Sequence, residues 1–218
     1  MPIKLVIFDL DGTLVNSIKD ITNSLNYATG PYGLAPKTVE EVAALVGEGI
    51  TRVIERIIGE ERLRHREEVV NRFLEFYSEH IVDNTFPYPG VKETLEGLNG
   101  YKKAVISNKR EALSVKVLEA LDLHRFFDLV VGSDSTSEKK PSPIPVLHAL
   151  SNFGLTQKNA VMVGDSDLDI AAGKAAGVKT IGVTYGYRER KCLRDADFII
   201  DDIKELTNLM KTFGTDDY

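Results

Sequence analysis

The chain has no tryptophan, a single cysteine, and no apolar run close to the roughly 20 residues a membrane-crossing helix needs. The lone thiol, Cys192, excludes an internal disulfide, so a reducing cytoplasm is the expected setting. Positive charge is also in short supply. Lys and Arg number 27 against 33 Asp and Glu, a net charge of −6, which argues against nucleic acid as a partner. The four histidines (His65, His80, His124 and His148) are scattered, so a zinc site is not expected. The one apolar run near the amino terminus is interrupted by Asp9 and Asp11 and does not read as a signal peptide. Internal repeats and low-complexity tracts are absent, and only "GTDDY" at the end reads as frayed.

What is present is enough for a real core: 218 residues, 43% hydrophobic and 28% charged. Short β-branched runs recur at 3–10, 102–108, 128–134, 160–165, 179–186 and 197–201. They are continuously apolar rather than alternating, as strands buried on both faces are. Helical patterns such as "REALSVKVLEAL" and "DLDIAAGKAA" lie between most of them. Strand and helix alternating in this way predict an α/β fold, a parallel sheet flanked by helices. Residues 15–85 break the rhythm with four helical patterns and no strand, and "NTFPYPG" punctuates the return. The expected organisation is a core of residues 1–14 and 86–218 carrying an inserted helical bundle at 15–85. The alternative is one continuous α/β domain.

Parallel α/β sheets place ligands beyond the carboxyl ends of their strands. The residues found there are Asp9 and Asp11 after the first run, Ser107 and Asn108 after the second, and Asp165, Asp167 and Asp169 after "AVMVG". Lys139 and Lys140 stand in the loop "SEKKPSP". Carboxylates brought together repel unless a divalent cation sits among them, and all-oxygen ligands on short loops suit Mg²⁺. A calcium hand starting at Asp165 fails, because its sixth position is Ile170 and its twelfth Ala176. Asp9 and Asp11 are two residues apart, with Gly12 next to allow a sharp turn, so both can reach one reacting group. One carboxylate can attack phosphorus while its neighbour handles protons. The plainer reading makes these residues turn formers and helix caps.

The pattern resembles the haloacid dehalogenase superfamily of phosphatases along nearly the whole chain. "DLDGT", "VISN", "KKPSP" and "GDSDLD" are similar to its four motifs in order and spacing. The stretches "NTFPYPGVKETLEGL" and "VGDSDLDIAAGKAAGV" look most like the phosphoglycolate phosphatase group. The resemblance implies a Rossmann-like parallel-sheet core with an α-helical cap domain inserted after the first motif. It further implies that Asp9 is the nucleophile forming an aspartyl-phosphate, and that Asp11 protonates the leaving alcohol and then activates water. Asp9, the backbone carbonyl of Asp11 and Asp165 would hold Mg²⁺, while Asp169 orients Lys140 or a metal-bound water. Ser107 would hydrogen-bond the phosphoryl group, Lys140 neutralise it, and Thr13 and Asn108 support the pocket. Lys140 is preferred to Lys139 for its place directly before Pro141. Serine replaces the more usual threonine in the second motif and keeps the hydroxyl; Asp167 has no role beyond a charge at a helix start.

Within the expected cap, Gly47 and Gly49 precede a helix whose first amides can face an anion, with Arg52 assisting. The plain alternative is that both glycines only turn the chain. The expected activity is Mg²⁺-dependent hydrolysis of a small phosphorylated metabolite, 2-phosphoglycolate first, by a monomer or homodimer. A β-phosphoglucomutase-like mutase would use the same core residues. A phosphonate hydrolase is disfavoured, since no lysine lies between Lys37 and Lys92 to form a Schiff base. Dehalogenation is disfavoured too, because Asp11 and a metal suit chemistry at phosphorus. From a different class, a receiver-like phospho-accepting module carries its aspartate on a middle strand, whereas Asp9 closes the first. A non-catalytic binding protein would have little need of Asp9, Asp11, Lys140 and Asp165 together.

Overall fold

A computed structural model describes residues 2–213; the carboxyl-terminal "GTDDY" lies outside them. The chain begins with β1 (Leu5–Phe8), a two-residue strand β2 (Val15–Asn16) and helices α1 (Ile18–Thr29), α2 (Val39–Ala43), α3 (Ile50–Ile58) and α4 (Arg66–Glu79). It returns through β3 (Phe86–Pro87) and α5 (Val91–Gly97) to β4 (Lys102–Ile106), α6 (Glu111–Ala120) and β5 (Leu129–Val131). Then follow α7 (Ile144–Asn152), β6 (Ala160–Gly164), α8 (Asp167–Ala176), β7 (Lys179–Val183), β8 (Phe198–Ile200) and α9 (Glu205–Thr212). All six expected strands form. They make one parallel sheet in the order β5-β4-β1-β6-β7-β8.

The sheet is buried on both faces, which is why its strands are continuously apolar. Leu5 and Ile7 pack with Met162 and Ala172 on one side, while Val6 and Phe8 join Val105 and Val163 on the other. The chain leaves β1 toward β4 on one side and β6 on the other, so a crevice opens at the carboxyl end of β1. The elements within residues 18–79 are all helices, as the periodicity predicts, with α1 packed on α4 and Tyr27 stacked on Phe76 at 4.1 Å.

The expectation of no strand within 15–85 needs correcting at its edge. Val15 and Asn16 pair antiparallel with Phe86 and Pro87, so the two chain crossings between sheet and helices run side by side. Two-residue strands have no periodicity to read, and the pairing spans some seventy positions. Asp20 on α1 reinforces it, since its buried carboxylate accepts from the Asn84 amide at 2.9 Å, Asn84 Nδ2 at 2.7 Å and Thr85 Oγ1 at 2.7 Å. Among the described residues no helix is long and apolar enough to cross a membrane.

Candidate active site

Asp9 directly follows β1, and its backbone N–H donates to the Val163 carbonyl of β6, which fixes its Cα at the crevice. The chain then folds back at once. Gly12 takes φ +94, closed to ordinary side chains, and its N–H donates to the Val15 carbonyl at 2.9 Å. A Cβ at Gly12 would stand 2.4 Å from Asp165 Oδ2, so only glycine lets the first loop lie against the one after β6.

Lys140 organises the carboxylates. Its Nζ donates to Asp9 Oδ1 at 2.6 Å, to Asp169 Oδ1 at 2.7 Å and to the Ile106 carbonyl at 2.7 Å, which uses all three of its hydrogens. Asp169 sits behind it, fully buried, its Oδ2 held by the Ser166 N–H and Oγ at the start of α8. Asp165 Oδ2 accepts from the Tyr187 N–H at 2.7 Å. Asp9 Oδ2 and Asp165 Oδ1 accept no hydrogen bond from any described residue.

Asp9, Asp165 and Asp169 each offer an oxygen within 4.8 Å of the others, all buried. Burial pushes Asp9 well above the usual carboxylate range, and repulsion from Asp169 and Asp165 adds to it against the pull of Lys140. Asp165 is pushed up to about 7, by burial first and by Asp169 next, although the Tyr187 amide draws it down. Three carboxylates thus face one ammonium, leaving two negative charges, the charge of one divalent cation. The donors are all oxygen, with no histidine or cysteine among them, which fits a hard ion such as Mg²⁺.

Asp11 faces the same cleft. Its Oδ1 accepts from Lys109 Nζ at 2.6 Å and from Ser17 Oγ at 2.5 Å. Lys109 reaches across to Tyr77 of α4, 2.8 Å from its hydroxyl, and is itself buried. Burial would depress the Lys109 ammonium, but Asp11 and Tyr77 outweigh it and raise it above an ordinary lysine. Burial pushes the Tyr77 hydroxyl up to about 12.

Of the residues singled out in the sequence, Asp9, Asp11, Ser107, Asn108, Lys140, Asp165, Gly47 and Gly49 line one cleft. Thr13 and Asp169 are buried just behind it, with Thr13 Oγ1 unpartnered. Arg52 departs from expectation: it lies outside the cleft lining, exposed, paired with Glu55 at 3.0 Å one helical turn on. Gly49, at φ +88, is the residue before α3, and a Cβ there would come within 3.2 Å of the Asn108 carbonyl.

Three side chains beyond strand ends hold the loop before α3 by its main chain. Asn108 Nδ2 donates to the Gly47 carbonyl at 2.8 Å, Lys139 Nζ to that of Glu48 at 2.5 Å, and Arg188 to those of Ala44 and Val46 at 2.6 Å each. Sequence reasoning did not single out Lys109, Tyr77, Tyr187 or Arg188. The strand-end rule reaches Lys109, one residue past Asn108, and Arg188, in the loop after β7; Tyr77 stands in an apolar helical stripe and carries no such signal.

The model of the haloacid dehalogenase-like hydrolases matches residues 6–183, from β1 through β7. The chain belongs to that family. It is 41% identical over 216 residues to a phosphoglycolate phosphatase of Chromobacterium violaceum, covering 96% of this chain and 97% of that protein. A phosphoglycolate phosphatase of Aquifex aeolicus is likewise 41% identical over 209 residues, with 95% and 96% covered. Among solved structures, a predicted phosphoglycolate phosphatase from Haemophilus somnus superposes with a TM-score of 0.88 at 32% identity, over 95% of this chain and 97% of that one. The family member described here is a phosphoric monoester hydrolase of the phosphoglycolate phosphatase-like kind, as the motifs imply.

Proposed function

We propose that the enzyme hydrolyses a small phosphate ester, 2-phosphoglycolate first among candidates, through a phosphoryl group carried on Asp9. The observation that carries this reading is Lys140 bridging Asp9 and Asp169 beside Asp165, with one oxygen of Asp9 left free. Asp9 Oδ2 attacks phosphorus, the P–O bond to the alcohol breaks, and Asp11 donates the proton the leaving oxygen needs. Asp11 then takes a proton from water as that water attacks the aspartyl-phosphate, releasing inorganic phosphate and restoring Asp9. Lys140 and the hydroxyl of Ser107 neutralise and orient the phosphoryl oxygens, with Asn108 and Thr13 shaping the pocket wall. Asp9, the Asp11 carbonyl and Asp165 would hold Mg²⁺, which supplies charge neutralisation for the transferring group. Asp169, both oxygens already bonded, acts through Lys140 as a positioning residue.

Residues 15–85 serve in this reading as a cap that closes the crevice against water. Support comes from the apolar wall they contribute, Val53, Phe73 and Tyr77, and from the clasped 43–48 loop. The single cysteine favours a reducing cytoplasm as its location. The relatives named as phosphoglycolate phosphatases support the substrate choice. Phosphate release from a panel of phosphorylated metabolites, with Mg²⁺ and with a chelator, tests the whole reading. Metal-dependent release, fastest on 2-phosphoglycolate and abolished in Asp9→Asn, is expected. Full activity under chelation, or in that variant, overturns it.

A further inference from the structure

Resting on that reading, we infer that Lys109 is a specificity-determining residue whose ammonium takes a carboxylate borne next to the phosphorylated carbon of the substrate.

The argument is one of distance. A general acid has to lie within hydrogen-bond reach, about 3 Å, of the ester oxygen it protonates. In an ester of the form phosphate–O–CH₂–COO⁻, the carboxylate carbon is two bonds from that oxygen. Wherever Asp11 can protonate the leaving oxygen, the substrate carboxylate therefore falls in the immediate surroundings of Asp11. Once Asp11 has given up its proton, two carboxylates would share a buried cleft, an arrangement disfavoured unless a cation is set between them.

Lys109 is that cation. Its Nζ is 2.6 Å from Asp11 Oδ1, and its side chain is only 8% exposed. Two of its three hydrogens go to Asp11 and the Tyr77 hydroxyl, and the third has no partner among the described residues. Of the other cations lining the cleft, Lys140 is bound to Asp9, Asp169 and the Ile106 carbonyl, Arg188 to the carbonyls of Ala44 and Val46, and Lys139 to that of Glu48, while Arg110 is exposed to solvent; Lys109 is the one held directly against Asp11. Val53 and Phe73 add apolar lining to the same cleft, where a long polar tail would find little to bind. The chemical class selected is a short 2-phosphorylated hydroxy acid.

The test compares 2-phosphoglycolate with ethyl phosphate, the same two-carbon ester without the carboxylate. In Lys109→Met, kcat/KM on 2-phosphoglycolate is expected to fall about 10- to 100-fold further than on ethyl phosphate. Lys109→Gln, which keeps a donor toward Asp11 and carries no charge, should lose the preference in the same way, whereas Lys109→Arg should keep much of it. Should the Met variant fail to fold, the Gln and Arg pair decides the matter. Equal losses on both substrates make Lys109 a support for Asp11 alone and overturn the inference, leaving the phosphatase reading intact. Wild-type enzyme that does not prefer 2-phosphoglycolate to ethyl phosphate overturns the substrate reading and the inference together.

Discussion

Lys140 Nζ stands 2.6 Å from Asp9 Oδ1 across 131 residues of sequence, and this pair orients the free oxygen of Asp9 toward the cleft. The same ammonium neutralises Asp169, so its removal strands two buried carboxylates. Lys140→Ala is expected to lose about a thousandfold in kcat. It should also lose about 3–5 kcal/mol of stability, read from urea unfolding. A variant that is inactive but fully stable would mean the carboxylates are neutral without the lysine.

Asp9→Asn should uncouple activity from stability. The ionised Asp9 carboxylate is disfavoured in the fold, by burial first and then by its acidic neighbours, and the amide removes that charge while keeping an acceptor for Lys140. In chelator at pH 7 the variant is expected to unfold at or above the wild-type midpoint while phosphate release vanishes. A marked drop in midpoint would count against this balance of charges.

The pH dependence of the metal-free protein follows from Asp165. Its carboxyl is raised to about 7 in the fold, from an ordinary value of 3.8. Between those values the folded chain holds a proton that the unfolded chain has released. Stability in chelator is therefore expected to fall as pH rises from about 4 to about 7, and Asp9 adds to the same trend. Mg²⁺ needs the carboxylates ionised, so its stabilisation should grow over the same interval. Thermal melts across this range, with EDTA and with Mg²⁺, check both slopes; a metal-free protein that gains stability toward pH 7 contradicts the assignment.

Among the described residues Asp20 has no cation partner, and it relies on three donors from Asn84 and Thr85. Asp20→Ala leaves those buried donors unmatched and is expected to cost about 2–4 kcal/mol. Denaturant midpoints measure the loss. A change below ~0.5 kcal/mol would show that the paired strands β2 and β3 hold the two crossings without it.

Arg188→Met removes the hydrogen bonds to the Ala43, Ala44 and Val46 carbonyls that help fasten the loop before α3. Faster deuterium uptake across residues 43–49, with KM raised more than kcat is lowered, is the expected signature. Unchanged uptake would mean Asn108 and Lys139 suffice.

How much of this was legible in the sequence depends on the range of the interaction. Runs such as "AVMVG" read correctly because burial on both faces leaves a mark on every residue. Asp9, Asp165 and Lys140 come together because strand ends in a parallel sheet converge, whatever the details of packing. Tyr77 lies beyond that rule. It meets Lys109 only because α4 packs on α1 and brings its hydroxyl over the strand ends, which no local pattern encodes. Arg52 lies elsewhere for the opposite reason, since a nearer partner, Glu55 three residues on, pairs with it on the helix surface. The β2–β3 pair was invisible because two residues are too few to show a period.

The fastening between Arg188, Lys139, Asn108 and the 43–48 loop is made to carbonyl oxygens, never to the loop's side chains. Every residue type presents that same oxygen. The loop can therefore drift in sequence at Ala44, Val46 and Glu48 while its fastening persists, and Val46, which lines the cleft, is open to evolutionary change along with them. Under the proposed reaction, new preferences for the ester's organic part would arise at Val46 without touching Asp9.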